Sequence, residues 1–142
     1  MKIFSVTIPH MFTYGKTTRK ISLNQILSMN WMKRKLLHDS MMESYSAILK
    51  ALPAIGVGKE DTFRVSLGFF AGKSTKTCDA DNFMYILKVF TDALKVKLGV
   101  DDSIFRIPEQ RIVYLGRKDE EQLLAQLEII NVVEPREEVF CV

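Results

Sequence analysis

A chain of 142 residues that is 47% hydrophobic and 26% charged has the size and composition of one compact soluble domain with a single core. Its apolar runs are far shorter than the roughly 20 residues that span a bilayer, so we exclude a membrane protein, and the N-terminus suggests no export. The two cysteines, Cys78 and Cys141, belong to no CxxC or Cys/His cluster. We therefore expect neither a disulfide framework nor a zinc site, and a reducing cytosol as the compartment.

Positive charge is concentrated at the start of the chain. Residues 1–38 contain no acidic residue, so the chain, which carries +3 in total, has +7 there and −4 in the remainder. The basic residues of this segment are Lys2, Lys16, Arg19, Lys20, Lys33, Arg34 and Lys35. They suit a polyanion such as nucleic acid, because lysine and arginine displace the counterions condensed on phosphates. A solvated basic face explains the same pattern equally well.

The first half of the chain predicts one strand and one long helix. Apolar residues alternate with polar or small ones over residues 2–8, which indicates a half-buried strand. Residues 9–30 are polar and have no long period, so we expect a loop that could lie against a ligand. From Trp31 to Leu52 apolar residues recur every three or four positions, as on one face of an amphipathic helix that Pro53 ends.

The second half begins with a strand over residues 63–69, a loop over residues 71–78 and then a helix. Asp81 is the expected N-cap of this helix, and Gly99 is its expected C-terminal cap. The expected buried stripe of the helix is Phe83, Ile86, Leu87, Phe90 and Leu94.

Strand structure is expected over residues 104–107 and 111–115. Residues 122–130 fit helix or strand, and the turn-like Gly116 to Glu120 favours a strand that closes a hairpin. The order is β-α-β-α-β-β, an α+β fold with a single mixed sheet and two main helices.

Gly72-Lys73-Ser74 follows the second predicted strand and resembles the end of a phosphate-binding loop. Such a loop needs a glycine where Leu67 stands, so we reject a nucleoside-triphosphate site. Lys73 and Lys76 either meet phosphates as point charges or belong to an exposed polar loop.

The histidines and the tryptophan predict no catalytic site. His10 and His38 have no obvious nucleophile partner, so we expect surface or core positions for both. Trp31 and the methionines from Met29 to Met42 lie at a helix start, where core packing explains them better than base stacking.

Two acidic pairs lie at the two ends of the second helix. Asp79 and Asp81 precede the helix, and Asp101-Asp102 follows it. Carboxylate oxygens are the ligands that a hard divalent cation prefers. On the alternative interpretation Asp81 caps the helix, Asp79 favours its positive end and the second pair makes a turn.

An ordered pattern runs through this half of the chain: Asp79-Ala80-Asp81-Asn82, Lys88, Asp92-Ala93-Leu94 and Gly99-Val100-Asp101-Asp102. The pattern resembles the RusA family of Holliday junction resolvases. An upstream group, Ser22-Leu23-Asn24, Trp31 and Lys33-Arg34-Lys35, is similar to the N-terminal segment of that family. The resemblance extends from residue 3 to residue 130.

The resemblance implies a homodimeric crossover junction endodeoxyribonuclease of bacterial or phage origin, which acts in the bacterial or host cytoplasm. Such an enzyme depends on Mg²⁺, with Mn²⁺ as a substitute, and nicks a four-way DNA junction symmetrically. The family's three metal-binding aspartates correspond to Asp79, Asp81 and Asp102. Family members place a catalytic lysine where this chain has Tyr85, so Lys88 becomes the candidate, with Lys73 or Lys76 as alternatives.

The remaining roles follow from the same resemblance. Asn82 orients a ligand or contacts the metal, and Asp101 supports a ligand or belongs to a turn. The candidate DNA-binding residues are Lys16, Arg19, Lys20, Asn24, Lys33, Arg34, Lys35, Lys73 and Lys76. Residues 1–142 form a single RusA-like endonuclease domain, with residues 131–142 as a C-terminal tail.

Three other functions stay open at the level of the sequence. A branched-DNA-binding module without cleavage is consistent with Tyr85 at the usual lysine position. A metal-dependent phosphohydrolase of small nucleotides would use the same carboxylates without a basic segment. In an ordinary structural domain, the acidic pairs are only caps and turns.

Overall fold

A computed structural model describes residues 2–14, 17–20, 23–58, 60–72, 83–100, 107, 109–131 and 138–141. These residues form seven strands and three helices. In chain order they are β1 (Lys2–Ile8), β2 (Met11–Tyr14), β3 (Thr17–Lys20), α1 (Leu23–Ser28), α2 (Trp31–Lys50), β4 (Asp61–Ala71), α3 (Met84–Leu98), β5 (Glu109–Arg117), β6 (Gln122–Asn131) and β7 (Glu138–Cys141). The predicted α+β class, with one main mixed sheet and two long helices, is confirmed.

The main sheet has five strands in the order β5-β4-β6-β1-β7. Strand β4 pairs in parallel with β5 and antiparallel with β6. Strand β1 pairs antiparallel with β6 and in parallel with β7. Because β4 and β5 are parallel, the chain between them must cross back along the sheet, and α3 lies in that crossover.

The structure differs from the sequence-based expectations in four places. Residues 9–30 are not simply a loop, since they contain a two-stranded sheet, β2 with β3, and the short helix α1. Strands β5 and β6 form no hairpin, because β4 lies between them and pairs with both. Ile107 precedes β5, which begins at Glu109. In the expected C-terminal tail, residues 138–141 form β7 at the edge of the sheet.

One face of the sheet carries the core. Phe63, Val65, Leu67 and Phe69 alternate along β4 and are all buried, because successive side chains of a strand point to opposite faces. The ring of Phe69 contacts that of Phe83, just before α3, with 4.6 Å between the ring centroids. Helices therefore cover this face, and the predicted buried stripe of α3 is confirmed.

Helices α2 and α3 pack side by side and run in the same direction. Tyr45 and Phe90 make an edge-to-face contact with 5.6 Å between ring centroids. Further along both helices, the Lys97 ammonium donates to the Leu52 carbonyl at 3.1 Å. The two helices therefore begin at the same end of the layer. No helix among the described residues is long and apolar enough to cross a membrane.

Capping residues are present at the ends of the two long helices. Asn30 is the N-cap of α2, and its side-chain oxygen accepts a hydrogen bond from the Lys33 main-chain nitrogen at 2.9 Å. The N-cap of α3 is Phe83, which makes no side-chain cap bond, and Asp81, the predicted cap, lies outside the described residues. Gly99 caps the other end with φ of 66°, as predicted, because the left-handed conformation favours glycine.

Candidate functional site

The predicted metal ligands lie outside the described residues. This applies to Asp79 and Asp81 with Asn82, and to Asp101 with Asp102. Among the residues that the structure does describe, no group of three or more His, Cys, Asp or Glu side chains could hold a metal ion. The site is therefore defined here by the residues that flank the two acidic segments.

The first acidic segment joins β4 to α3 at one end of the sheet. Gly72 follows the carboxyl end of β4, and Phe83 immediately precedes α3. Since Phe83 contacts Phe69 of β4, the segment begins and ends near the carboxyl end of that strand. Strands β4 and β5 are parallel, and crevices outside the carboxyl ends of such strands are common ligand sites in open α/β sheets.

The second acidic segment leaves α3 at its far end. A 15-residue helix is about 21 Å long, so Gly99 is distant from the start of the helix. Ile107, however, lines a groove along α3 together with Tyr85 and Lys88. In β5, which follows Ile107, the Gln110 side chain donates to the Thr91 hydroxyl in the middle of α3 at 3.3 Å. A metal site that includes Asp102 together with Asp79 and Asp81 requires the second acidic segment to reach the start of α3.

The candidate lysine lies in this groove, which has a volume of about 520 Å³. Lys88 is exposed on α3. Asp92, one turn further along the helix, also lines the groove and lies 3.9 Å from the Lys95 ammonium. A mobile, exposed lysine of this kind can reach a phosphate that enters the groove.

Tyr85, where the resemblance to the RusA family predicts a lysine, is half-buried in the first turn of α3. Burial raises the pKa of Tyr85 above its ordinary value, the positive charge of Arg34 opposes this, and the negative charge of Asp92 adds to it. Tyr85 is therefore a neutral phenol at physiological pH.

The predicted basic residues of α2 have different environments. Arg34 donates from Nε to the Ile26 carbonyl at 2.9 Å and from Nη2 to the Leu27 carbonyl at 3.1 Å. Its guanidinium thus bridges to α1. Lys33 and Lys35 are exposed and can meet phosphates directly.

The other candidate DNA-binding residues are only partly described. Arg19 and Lys20 lie in β3, and Asn24 lies in α1. Lys16, Lys73 and Lys76 are outside the described residues. Their predicted roles stay predictions.

The expectation that Trp31 packs in the core is wrong. Trp31 and Met32 are exposed, whereas Met41 is buried as expected. The buried stripe of α2 starts at Leu37, so the first turn of the helix extends beyond the core.

Sequence reasoning missed a contact between a histidine and a carboxylate at the same end of the sheet. His10 Nε2 lies 3.2 Å from Glu121 Oε1, in a concavity of about 1010 Å³ that Lys118 also lines. The Lys118 main-chain nitrogen donates to the Ala71 carbonyl at 2.9 Å, which places the concavity beside the end of β4. No local pattern links His10 to Glu121, because the contact follows from the β1–β6 pairing.

Comparison of the sequence with models of known protein families gave no match, and neither did comparison with curated proteins. The resemblance to the RusA family therefore rests on the motif residues.

Proposed function

We propose that the protein is an Mg²⁺-dependent DNA endonuclease of the RusA type that resolves four-way junctions by symmetric paired nicks. One observation carries the proposal: Arg34, in the basic first turn of α2, donates to the Ile26 and Leu27 carbonyls of α1, and α1 contacts α3. Lys88 lies exposed in the second turn of α3, and the chain enters this helix directly after residues 79–82. Carboxylates for a metal beside cations for phosphates are what phosphodiester hydrolysis needs.

In this proposal Asp79, Asp81 and Asp102 supply the oxygen ligands that Mg²⁺ prefers. A bound Mg²⁺, or Mn²⁺ in its place, would neutralise charge on the scissile phosphate and activate a water. Lys88 donates hydrogen bonds to the phosphate as negative charge grows in the transition state. Asn82 orients one of the metal-binding aspartates, and Asp101 stabilises the position of another.

DNA is held through its phosphates. Lys33 and Lys35 contact the backbone from the exposed start of α2, and their contacts read shape more than sequence. The other candidate contacts are Lys16, Arg19, Lys20, Asn24, Lys73 and Lys76. A four-way junction has two-fold symmetry, so a homodimer with two equivalent sites can make both cuts. The proposed setting is the cytoplasm of a bacterium or of a phage host.

The test is cleavage of a labelled, immobile four-way junction and of a matched linear duplex, each with Mg²⁺ and with a chelator. We expect paired nicks on the junction that need the metal and disappear in Asp81→Asn. The control is Glu43→Gln, which removes one negative charge from an exposed position of α2 and should cleave like the unsubstituted protein.

Other outcomes of the same experiment would favour one of the alternative functions. Tight junction binding without nicks in Mg²⁺ and in Mn²⁺ would replace the nuclease with a non-catalytic branched-DNA module, in line with Tyr85 at the lysine position. Metal-dependent hydrolysis of small nucleotides without DNA binding would indicate a phosphohydrolase. If the protein neither binds the junction nor hydrolyses any of these substrates, the resemblance is limited to the motif residues.

A further inference from the structure

The first two turns of α2 expose more apolar surface than a helix start requires. Trp31 is 72% exposed, Met32 63% and Leu36 53%. Single exposed apolar residues are common, but neighbouring ones that form a patch indicate a binding surface. A surface of this kind therefore needs a partner.

These residues form adjacent rows on the helix. Trp31 and Lys35 are one turn apart, as are Met32 and Leu36, so each pair lies on one side of the helix. The Lys35 ammonium lies over the Trp31 ring, 5.7 Å from its centroid. We call Trp31, Met32, Lys35 and Leu36 the α2 platform. The buried stripe, which begins at Leu37, attaches the helix to the core and leaves the platform free of packing.

The positive charge around the α2 platform indicates what kind of partner the platform binds. Lys33, Arg34 and Lys35 are consecutive cations, and the first acidic residue of the chain is Asp39. A second copy of the chain is a poor occupant, because a two-fold contact through this surface would bring the same cations together. A polyanion that also offers flat apolar surface fits both properties, and nucleic acid with exposed base faces is such a ligand.

We propose that the α2 platform binds unstacked DNA bases, with Trp31 stacked on a base and Lys35, on the same side of the helix, on a neighbouring phosphate. The proposal rests on the proposed function in taking DNA as the ligand, and it adds the feature of the substrate that is recognised. Base faces are covered inside a continuous duplex and become accessible where stacking is interrupted. The platform therefore favours single strands and branch points over an intact duplex.

Trp31 is the single tryptophan of the chain, so intrinsic tryptophan fluorescence reports on the platform alone. The experiment titrates the protein, in chelator to prevent cleavage, with single-stranded oligothymidine and with a blunt duplex of equal length. Binding is followed separately by anisotropy of labelled DNA. We expect oligothymidine to quench Trp31 emission, added salt to reverse the quenching, and the duplex to quench much less.

Three variants test whether the Trp31 ring itself binds the DNA, since all of them leave the lysines in place. Trp31→Ala should weaken oligothymidine binding between about 5-fold and about 150-fold, the range expected for loss of one stacked base. Trp31→Phe keeps an aromatic face and should restore most of the affinity. The control is Tyr114→Ala, which removes an aromatic ring that is 61% exposed on β5 and should leave the affinity unchanged. Circular dichroism checks that all three variants fold.

Two results would overturn the proposal. One is oligothymidine bound by anisotropy with unchanged Trp31 emission, or bound equally well by Trp31→Ala. The other is a change of Trp31 emission with protein concentration in the absence of DNA, which would assign the platform to a second copy. Quenching without metal-dependent junction cleavage would reject only the proposed nuclease, and junction cleavage with unchanged Trp31 emission would reject only the platform.

Discussion

Arg34 donates from its guanidinium Nε to the main-chain carbonyl of Ile26 at 2.9 Å, and from Nη2 to the carbonyl of Leu27 at 3.1 Å. Both carbonyls belong to the last turn of α1, and the Ile26 carbonyl also accepts from the Met29 main-chain nitrogen at 3.2 Å. A six-residue helix is too short to be stable by itself. The position of α1 against α2 therefore depends on a residue that the sequence suggested for DNA binding.

Arg34→Lys is expected to destabilise the fold while keeping the charge. An ammonium lacks the planar fork of guanidinium donors, so it cannot serve both carbonyls in the same geometry. We expect the free energy of unfolding to fall by about 1 kcal/mol, measured by urea denaturation. Lys33→Arg, at the exposed neighbouring position, is the matched control and should leave the midpoint unchanged. Equal midpoints for all three proteins would show that the Arg34 contacts contribute nothing.

The long elements could be predicted because their patterns are strong. Helix α3 has a stripe of buried residues at helical spacing, and in β4 large apolar residues alternate with polar or small ones from Phe63 to Phe69. The short elements before α2 could not be predicted, because they depend on contacts with residues that are distant in the sequence. Phe12 of β2, for example, is buried and packs edge-to-face on Tyr45, with 5.6 Å between ring centroids. The prediction of a β5–β6 hairpin was wrong, because a turn in the local sequence does not show that β4 lies between the two strands.

Lys88→Met is expected to slow junction cleavage without changing stability. The lysine is exposed, so its loss leaves the fold intact, while the transition state loses a charged hydrogen-bond donor. We expect kcat to fall by about 100-fold, measured in single-turnover cleavage. Lys95→Met, in the same groove but two turns further along α3, is the control and should retain activity.

The double variant Tyr85→Lys with Lys88→Met returns a lysine to the family's position. If Lys88 replaces that lysine, the double variant should recover part of the lost rate. Full activity of Lys88→Met would instead assign the role to Lys73 or Lys76.

Stability is expected to fall at alkaline pH because of Tyr45. Burial raises the pKa of the Tyr45 hydroxyl well above its ordinary value, and the hydroxyl donates to the Pro9 carbonyl at 3.3 Å. The unfolded chain releases this proton near pH 10, whereas the folded protein retains it. Stability from this group is therefore complete below about pH 10 and decreases above it.

Urea denaturation below and above the ordinary tyrosine pKa tests this expectation. Tyr45→Phe should be less stable at neutral pH by about 1 kcal/mol, because it loses the hydrogen bond. It should also lose less stability on going to alkaline pH than the unsubstituted protein. Tyr114→Phe, at an exposed position, is the control. Parallel pH profiles for Tyr45→Phe and the unsubstituted protein would contradict the assignment.

The candidate site was only partly accessible from the sequence. Local spacing identifies the acidic motif and Lys88, since these lie within or beside one helix. It cannot identify the environment of Arg34 or the exposure of Trp31, because both depend on how α1 and α2 pack. The His10–Glu121 pair is also beyond sequence reasoning, since it joins residues at opposite ends of the chain.

Mg²⁺ is expected to raise the melting temperature, because an ion that binds only the folded protein stabilises it. At a concentration 100 times the dissociation constant the gain is about 2.7 kcal/mol. For a chain of this size, that gain corresponds to a shift of roughly 5–10 °C, which differential scanning fluorimetry resolves. Asp81→Asn should remove most of this shift.

Asp81→Asn also distinguishes a metal-binding role of Asp81 from a role in stabilising the start of α3. Clustered carboxylates repel one another without metal, so Asp81→Asn should melt at the same or a higher temperature than the unsubstituted protein in chelator. If Asp81 instead only stabilises the positive end of α3, the variant should melt lower in chelator, and Mg²⁺ should shift neither protein. Glu43→Gln, the control, should keep the full Mg²⁺ shift, because the charge it removes is on the exposed face of α2.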